Sequence, residues 1–303
     1  MVNPFGLLNV NKPAGVTSRD AVNRVQWLLR QIAKRDGVKP AKVGHAGTLD
    51  PIATGVLVLC VGQATKLIEH VQRKPKRYRG AFLLGRRSPS DDIELEAELL
   101  PDAPRPTREQ IEAALPAFTG PIEQVPPAYS AIKIGGVKAY DLARAGEAPE
   151  MKPRTVVIHE LAVVSYDFPE LVLDIRCGGG TYIRALGRDL AESLGTGAVM
   201  SALERTEIGA FRVEEGVDTQ ALDEESLLTT LLPAGLAVGG LARFDVTDEE
   251  VEELRNGRFL TRADAPAGDE LAVFDPTGHL VALMKPRGGG RFQPTRLFVP
   301  AAQ

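Results

Sequence analysis

Residues 44–55 read Gly44-His45-Ala46-Gly47-Thr48-Leu49-Asp50-Pro51-Ile52-Ala53-Thr54-Gly55, and the apolar run Val56-Leu57-Val58-Leu59 follows. Three glycines and an Asp-Pro step surround a single carboxylate. The residue before a proline is pushed into extended backbone, so Asp50 is not helical. It belongs to an irregular loop, and residues 56–61 after it are expected as a buried strand. A carboxylate in that setting can serve as metal ligand, general base or nucleophile. It can equally do no more than close an Asp-Pro turn by accepting from backbone N–H groups. Metal ligation needs further carboxylates or histidines at usable spacing, and only His45 is near, so no metal is expected.

Upstream, residues 7–10 read as a short strand stopped at Lys12-Pro13-Ala14-Gly15. Thr17-Ser18 offers an N-cap, and apolar residues at 21, 22, 25, 28, 29 and 32 predict an amphipathic helix over 20–33. Residues 34–43 are basic, with Gly37 and Pro40, and read as a loop. Downstream, residues 78–84, 156–164 and 171–177 read as strands. A Thr107-x-x-Gln110 capping box opens a helix over 107–118. Residues 88–106 are acidic and proline-rich and read as a surface connection. Residues 119–155 form a Pro- and Gly-rich excursion with a turn at Gly135-Gly136, and residues 178–184 lead into a helix that runs to about 194.

A composition shift near 233–242 marks a boundary, and the last 60 residues read as short strands with turns at Pro276-Thr277-Gly278 and Gly288-Gly289-Gly290. The expected fold class is α+β. A mixed, mainly antiparallel sheet with flanking helices would occupy residues 1–235, and a small β-rich domain residues 240–303.

The chain has 303 residues, of which 44% are hydrophobic, enough for a sizeable core, and no apolar run is long enough to span a bilayer. The N-terminus has no charged segment followed by an apolar one, so no signal peptide is read and a cytoplasmic protein is expected. Cys60 and Cys177 lie far apart in apolar surroundings and are expected as buried free thiols. The net charge of −4 argues against a polyanion partner, but its distribution argues for one. Residues 1–90 carry 16 Lys and Arg against 4 Asp and Glu, while the whole chain carries 36 against 40. The densest stretch is Arg73-Lys74-Pro75-Lys76-Arg77-Tyr78-Arg79, and no acid lies between Glu69 and Asp91. Basic residues interleaved with an aromatic suit a nucleic-acid groove, with charge for phosphates and a ring for a base face; alone, they also suit a solvated loop.

Gly178-Gly179-Gly180 before a helix is only a weak phosphate-loop signal, since no Lys-Ser/Thr follows. Tyr182 and Arg184 are more informative. Two apart in a segment still read as extended, they would face the same side. A ring to stack a base beside an arginine to hold a carboxylate makes a nucleobase pocket; a core tyrosine and a surface arginine are the plainer reading.

Six blocks occur in order: NKPAGVTS, GHAGTLDPIATGVL, KRYR, VPPAYSAIK, CGGGTYIRALGRDL and LERTEIGAF. Over about residues 5–215 the chain closely resembles the bacterial tRNA pseudouridine-55 synthase family. The resemblance implies isomerisation of one uridine in the T loop of tRNA, with the base flipped out, the N1–C1′ bond broken and a C5–C1′ bond made. Asp50 would be the nucleophile, at uracil C6 or ribose C1′, and Arg184 would pair with it and keep it ionised. Tyr78 would stack on the uracil and take part in a late proton transfer. Tyr182 and Leu203 would line the base pocket. His45 would support the space the base vacates, and Lys133 would stand at the rim. The 119–155 excursion would contact RNA, and the C-terminal domain would be of the small RNA-binding PUA-like kind, a looser likeness.

No cofactor and no guide RNA are expected, and the protein is expected to act as a monomer on the tRNA T arm. Two departures stand out. Ser88-Pro89-Ser90-Asp91-Asp92 replaces a Thr-Asp-Thr-x-Asp-x-x-Gly run, and Glu204 replaces a common arginine. Three alternatives compete: a non-catalytic tRNA-folding chaperone on the same fold, a guide-RNA-dependent relative, and a nucleoside hydrolase. The last would want a second poised carboxylate.

Overall fold

The computed structural model describes residues 4–130, 132–147 and 150–298. Seven strands run in the order Gly6–Lys12, Thr54–Val61, Ala198–Ile208, Lys76–Leu84, Glu170–Cys177, Arg154–Asp167, Gly120–Gln124. Two short strands extend this sheet: Val43–His45 beside Thr54–Val61, and Phe211–Arg212 beside Ala198–Ile208. One pairing is parallel, Ala198–Ile208 with Thr54–Val61, and the others in the sheet are antiparallel. The class is α+β with a mixed, mainly antiparallel sheet, as expected.

Why the 56–61 run is apolar at every position follows from its two faces. Side chains alternate along a strand. Leu57, Leu59 and Val61 join the main core, which includes Val22, Val25, Leu28, Leu29 and Ile32 of the helix Ser18–Asp36. Val56, Val58 and Cys60 join a second core with Ala272, Phe274, Leu283 and Phe298 from the C-terminal part. A strand covered on both sides cannot afford a polar face. Burying each Leu or Val here contributes about 1.5–3 kcal/mol.

The helix Ser18–Asp36 is longer than its apolar period predicts. Thr17 accepts from the Asp20 amide, Asp20 accepts from the Thr17 amide, and the helix stops at Gly37 with φ 67. Such a cap is worth about 1 kcal/mol. Thr107 and Gln110 form the second capping box, over Arg108–Ala114, with a 3-10 turn continuing through Leu115–Phe118.

The C-terminal β domain is a five-stranded sheet ordered Ala242–Asp245, Leu271–Phe274, Leu280–Pro286, Arg291–Leu297, Leu260–Thr261, with the helix Asp248–Arg255. Phe298 stacks on Phe5 with ring centroids 5.5 Å apart. Among the described residues no helix is long and apolar enough to cross a membrane.

The helix Ile183–Ser193 lies against the strand Lys76–Leu84. At Gly187 a Cβ would come within 2.1 Å of the Phe82 ring, so only glycine lets them pack. This contact sets where the first turn, and Arg184 in it, sits. Tyr182 is the N-cap residue and Arg184 lies within the helix, which corrects the expectation that both share one extended segment. After the three glycines, Thr181 Oγ1 donates to the Gly178 carbonyl at 3.2 Å across the turn, and the helix begins at the buried Ile183.

The surface reading of 88–106 is corrected in part. Ser90, Asp91 and Asp92 are buried, Asp92 completely. Asp91 has φ 60 and its carboxylate meets Arg188 at 2.6 Å. Composition hid this turn because its charges are neutralised by arginines far off in sequence.

Candidate active site

A cavity of about 590 Å³ opens beside the strands Lys76–Leu84 and Ala198–Ile208. Asp50, Tyr78, Tyr182, Arg184 and Leu203 line it together, with Arg205, Lys76, Tyr129 and Tyr140. Five residues singled out in the sequence thus meet in one place, from four separate segments.

The Asp50 loop is held by its neighbours. Ser18 Oγ donates to the Leu49 carbonyl at 3.0 Å and accepts from the Leu49 amide at 2.8 Å. Lys12, fully buried, donates to the carbonyls of Pro13, Val16 and, at 3.5 Å, Pro51. The Ala53 amide donates to the Asp50 carbonyl, closing the Asp-Pro turn. Asp50 itself points its carboxylate at Arg184, with Oδ2 3.2 Å from Nε.

Arg184 is buried and fully engaged. Its Nη1 donates to the Ser90 carbonyl at 2.7 Å and lies 3.0 Å from Asp92 Oδ2, and its Nη2 donates to the Tyr129 carbonyl at 3.1 Å. Asp92 is anchored in turn by Ser90 Oγ at 2.6 Å and the Glu94 amide at 3.0 Å. The planar fork of an arginine can satisfy such divergent acceptors at once. Sequence reasoning missed Asp92, although it had marked the run that contains it.

Tyr78 sits at mid-strand and is buried, with Arg205 as its register partner on the neighbouring strand. Burial raises its phenol pKa, and the Arg205 charge opposes that shift. Tyr182 is fixed by Gln124, whose side chain donates to its carbonyl at 3.0 Å and accepts from its amide at 2.8 Å. Arg154 covers the Tyr182 ring at 4.7 Å. Leu203 is buried on the cavity wall.

His45 ends the strand Val43–His45 and is not among the lining residues. Among the described residues its buried Nδ1 has no hydrogen-bond partner, and burial lowers its pKa. The side chain of Lys133 lies outside the described part of the structure.

The basic stretch proves mixed. Lys76 is buried on the cavity wall and donates to the carbonyls of Gln72 and Lys74; burial, aided by the Arg205 charge, pushes its pKa down to about 8. Arg77 is tied to Asp174 at 2.9 Å, and Arg79 is exposed. Strand alternation explains the split: neighbouring cations face opposite sides. Cys60 and Cys177 are free and buried, with pKa values pushed up to about 12 and about 11, so neither thiol is poised to react. Among the described residues no group of three or more His, Cys, Asp or Glu is placed to hold a metal ion.

The fold is that of solved chains at low sequence identity. A chain of a Cbf5-Nop10-Gar1 complex matches with TM-score 0.72 at 24% identity, covering 98% of this chain and 86% of that one. A chain of the archaeal box H/ACA sRNP Nop10-Cbf5 complex matches with TM-score 0.71 at 23% identity, covering 99% and 88%. Sequence then specifies the class. A family profile described as TruB family pseudouridylate synthase (N terminal domain) matches residues 35–183, and one described as tRNA Pseudouridine synthase II, C terminal, matches residues 241–298. Fold and profiles together define a pseudouridine synthase.

Full-length relatives agree. A protein named tRNA pseudouridine synthase B from Rhodopirellula baltica is 35% identical, covering 98% of this chain and 95% of the relative. One of the same name from Caulobacter vibrioides is 39% identical, covering 97% and 96%. The chain belongs to the TruB family of pseudouridylate synthases.

Proposed function

We propose that this protein isomerises uridine 55 in the T loop of tRNA to pseudouridine, with Asp50 as nucleophile. One observation carries this reading: the Asp50 carboxylate, ion-paired at 3.2 Å to a buried arginine, stands on the wall of a cavity that Tyr78, Tyr182, Leu203 and a second acid, Glu94, also line. The cavity has rings to stack a flipped base and an apolar wall to exclude water. Flipping a loop base costs a few kcal/mol, which stacking and phosphate contacts offset. Asp50 attacks C6 of the uracil or C1′ of the ribose, the N1–C1′ bond breaks, and the base rotates. The C5–C1′ bond then forms, the bond between Asp50 and C6 or C1′ breaks to return the free carboxylate, C5 loses its hydrogen to solvent, and N1 gains one. Arg184, held by Asp92 and two carbonyls, keeps the attacking carboxylate oriented. Tyr78 supplies a ring against the uracil and a hydroxyl for the late proton transfer.

The relatives' names supply tRNA as the substrate class, and the basic N-terminal third suits the phosphates of a T arm. No guide RNA or partner protein is required by this scheme, and a monomer in the cytoplasm suffices for it. The test is release of tritium from a T-arm hairpin labelled at C5 of its uridines. Wild type should release it into water, and Asp50→Asn should bind the hairpin but release none. Release by Asp50→Asn at the wild-type rate would remove the nucleophile assignment. Binding without release by wild type would favour an RNA chaperone.

A further inference from the structure

We infer that Arg205 is a positioning residue for the loop that presents Asp50, an inference that rests on the proposed reaction only for its kinetic consequence. Arg205 lies on the strand Ala198–Ile208, between Gly55 on one neighbouring strand and Tyr78 on the other. Its side chain is among the largest that are fully buried. Among the described residues it donates three hydrogen bonds to backbone carbonyls, Nε to Val56 at 2.7 Å, Nη2 to Gly47 at 3.1 Å and Nη1 to Thr48 at 3.5 Å, and its guanidinium also stands near the Tyr78 hydroxyl. No carboxylate joins them. Burying a cation without an acid partner is costly, and a core that needed only bulk there would hold an apolar side chain.

The three carbonyls explain what the cost supports. Gly47 and Thr48 precede Asp50, and Val56 follows it. One rigid fork therefore ties the entry of the loop to its exit. The backbone of Arg205 closes the same junction: a Cβ on Gly55, where φ is 96, would fall 2.2 Å from the Arg205 carbonyl oxygen. Gly55 is thus demanded by this strand contact and by its positive φ. Ser18 holds Leu49 from the other side and Lys12 holds Pro51. With those fixed, residues 47–51 line the cavity and the Asp50 carboxylate is held toward Arg184. A lysine keeps the charge but cannot reach both ends of the loop with fixed geometry. A misplacement of about 1 Å in a reacting group is enough to lower a rate on the order of 100-fold.

Hydrogen exchange on the full chain tests the structural half without RNA. In Arg205→Met, amides of residues 46–56 should exchange faster while the rest of the sheet keeps its protection. Unchanged protection there, or loss spread through the sheet, would overturn the inference. Single-turnover tritium release at saturating hairpin tests the kinetic half. Both Arg205→Met and Arg205→Lys should lose on the order of 100-fold in rate, with the hairpin Kd within about threefold of wild type. A rate within threefold of wild type would leave Arg205 a core cation and no more. If Arg205→Met does not fold, Arg205→Lys carries both measurements. If wild type itself releases no tritium, the proposed reaction fails while the exchange result still decides the role of Arg205.

Discussion

Arg184 and Asp92 meet at 3.0 Å with the carboxylate wholly buried and the guanidinium nearly so, whereas the second acid on the same arginine, Asp50, keeps 35% of its side chain in solvent. The two carboxylates therefore differ in what they do. Asp92→Asn breaks a buried pair and should cost about 3 kcal/mol, the low end for such a loss because Asp50 remains as partner. Asp50→Asn breaks a part-exposed pair and should shift stability by less than about 1 kcal/mol. Urea unfolding of the two variants checks this; equal losses would show that Asp92 is no more structural than Asp50.

Tyr78→Phe keeps the ring and removes the hydroxyl. RNA affinity should stay within about twofold, and single-turnover tritium release should fall on the order of 100-fold, the usual contribution of a positioned proton-transfer group. Burial holds the phenol above its ordinary pKa, so the hydroxyl keeps its proton across the neutral range. A wild-type rate for Tyr78→Phe would remove the hydroxyl from the reaction.

Lys76 should give stability a distinctive pH dependence. Its folded pKa of about 8 lies below the ordinary lysine value of 10.5, which describes the unfolded chain. Between these values the unfolded state binds more protons, so stability rises with pH. The penalty of the buried charge is fully present below pH 8 and gone above 10.5. Unfolding of wild type and Lys76→Met at pH 7 and at pH 9.5 should show wild type gaining on the variant. Parallel profiles would mean that Lys76 is not desolvated.

Arg79 is exposed, while the Arg77 guanidinium is committed to Asp174. Arg79→Ala should weaken hairpin binding and lower the salt slope by about 1. Arg77→Ala should change the slope less and disturb the sheet more. The reverse order would mean that RNA draws Arg77 out of its ion pair.

Much of this was legible in the chain itself. The Asp-Pro step kept Asp50 off a helix, the period of apolar residues from Ala21 to Ile32 gave the first helix, and two capping boxes were written plainly. These are local effects, decided by neighbours within a turn or two. Order and wording of the six blocks singled out Asp50, Tyr78, Tyr182, Arg184 and Leu203, which the fold brings to one cavity.

What only the tertiary structure decided is where charge is spent. Asp91 and Asp92 read as surface because nothing local distinguishes a solvated acid from one buried against arginines some ninety positions later in the chain. Lys76, Arg77 and Arg79 read as one basic patch, yet strand alternation and the neighbours on each face give them three different fates. Arg205 carried no mark at all in LERTEIGAF, because its partners are backbone carbonyls of a distant loop. Backbone groups are the same at every residue, so a sequence cannot show which of them a buried side chain will hold.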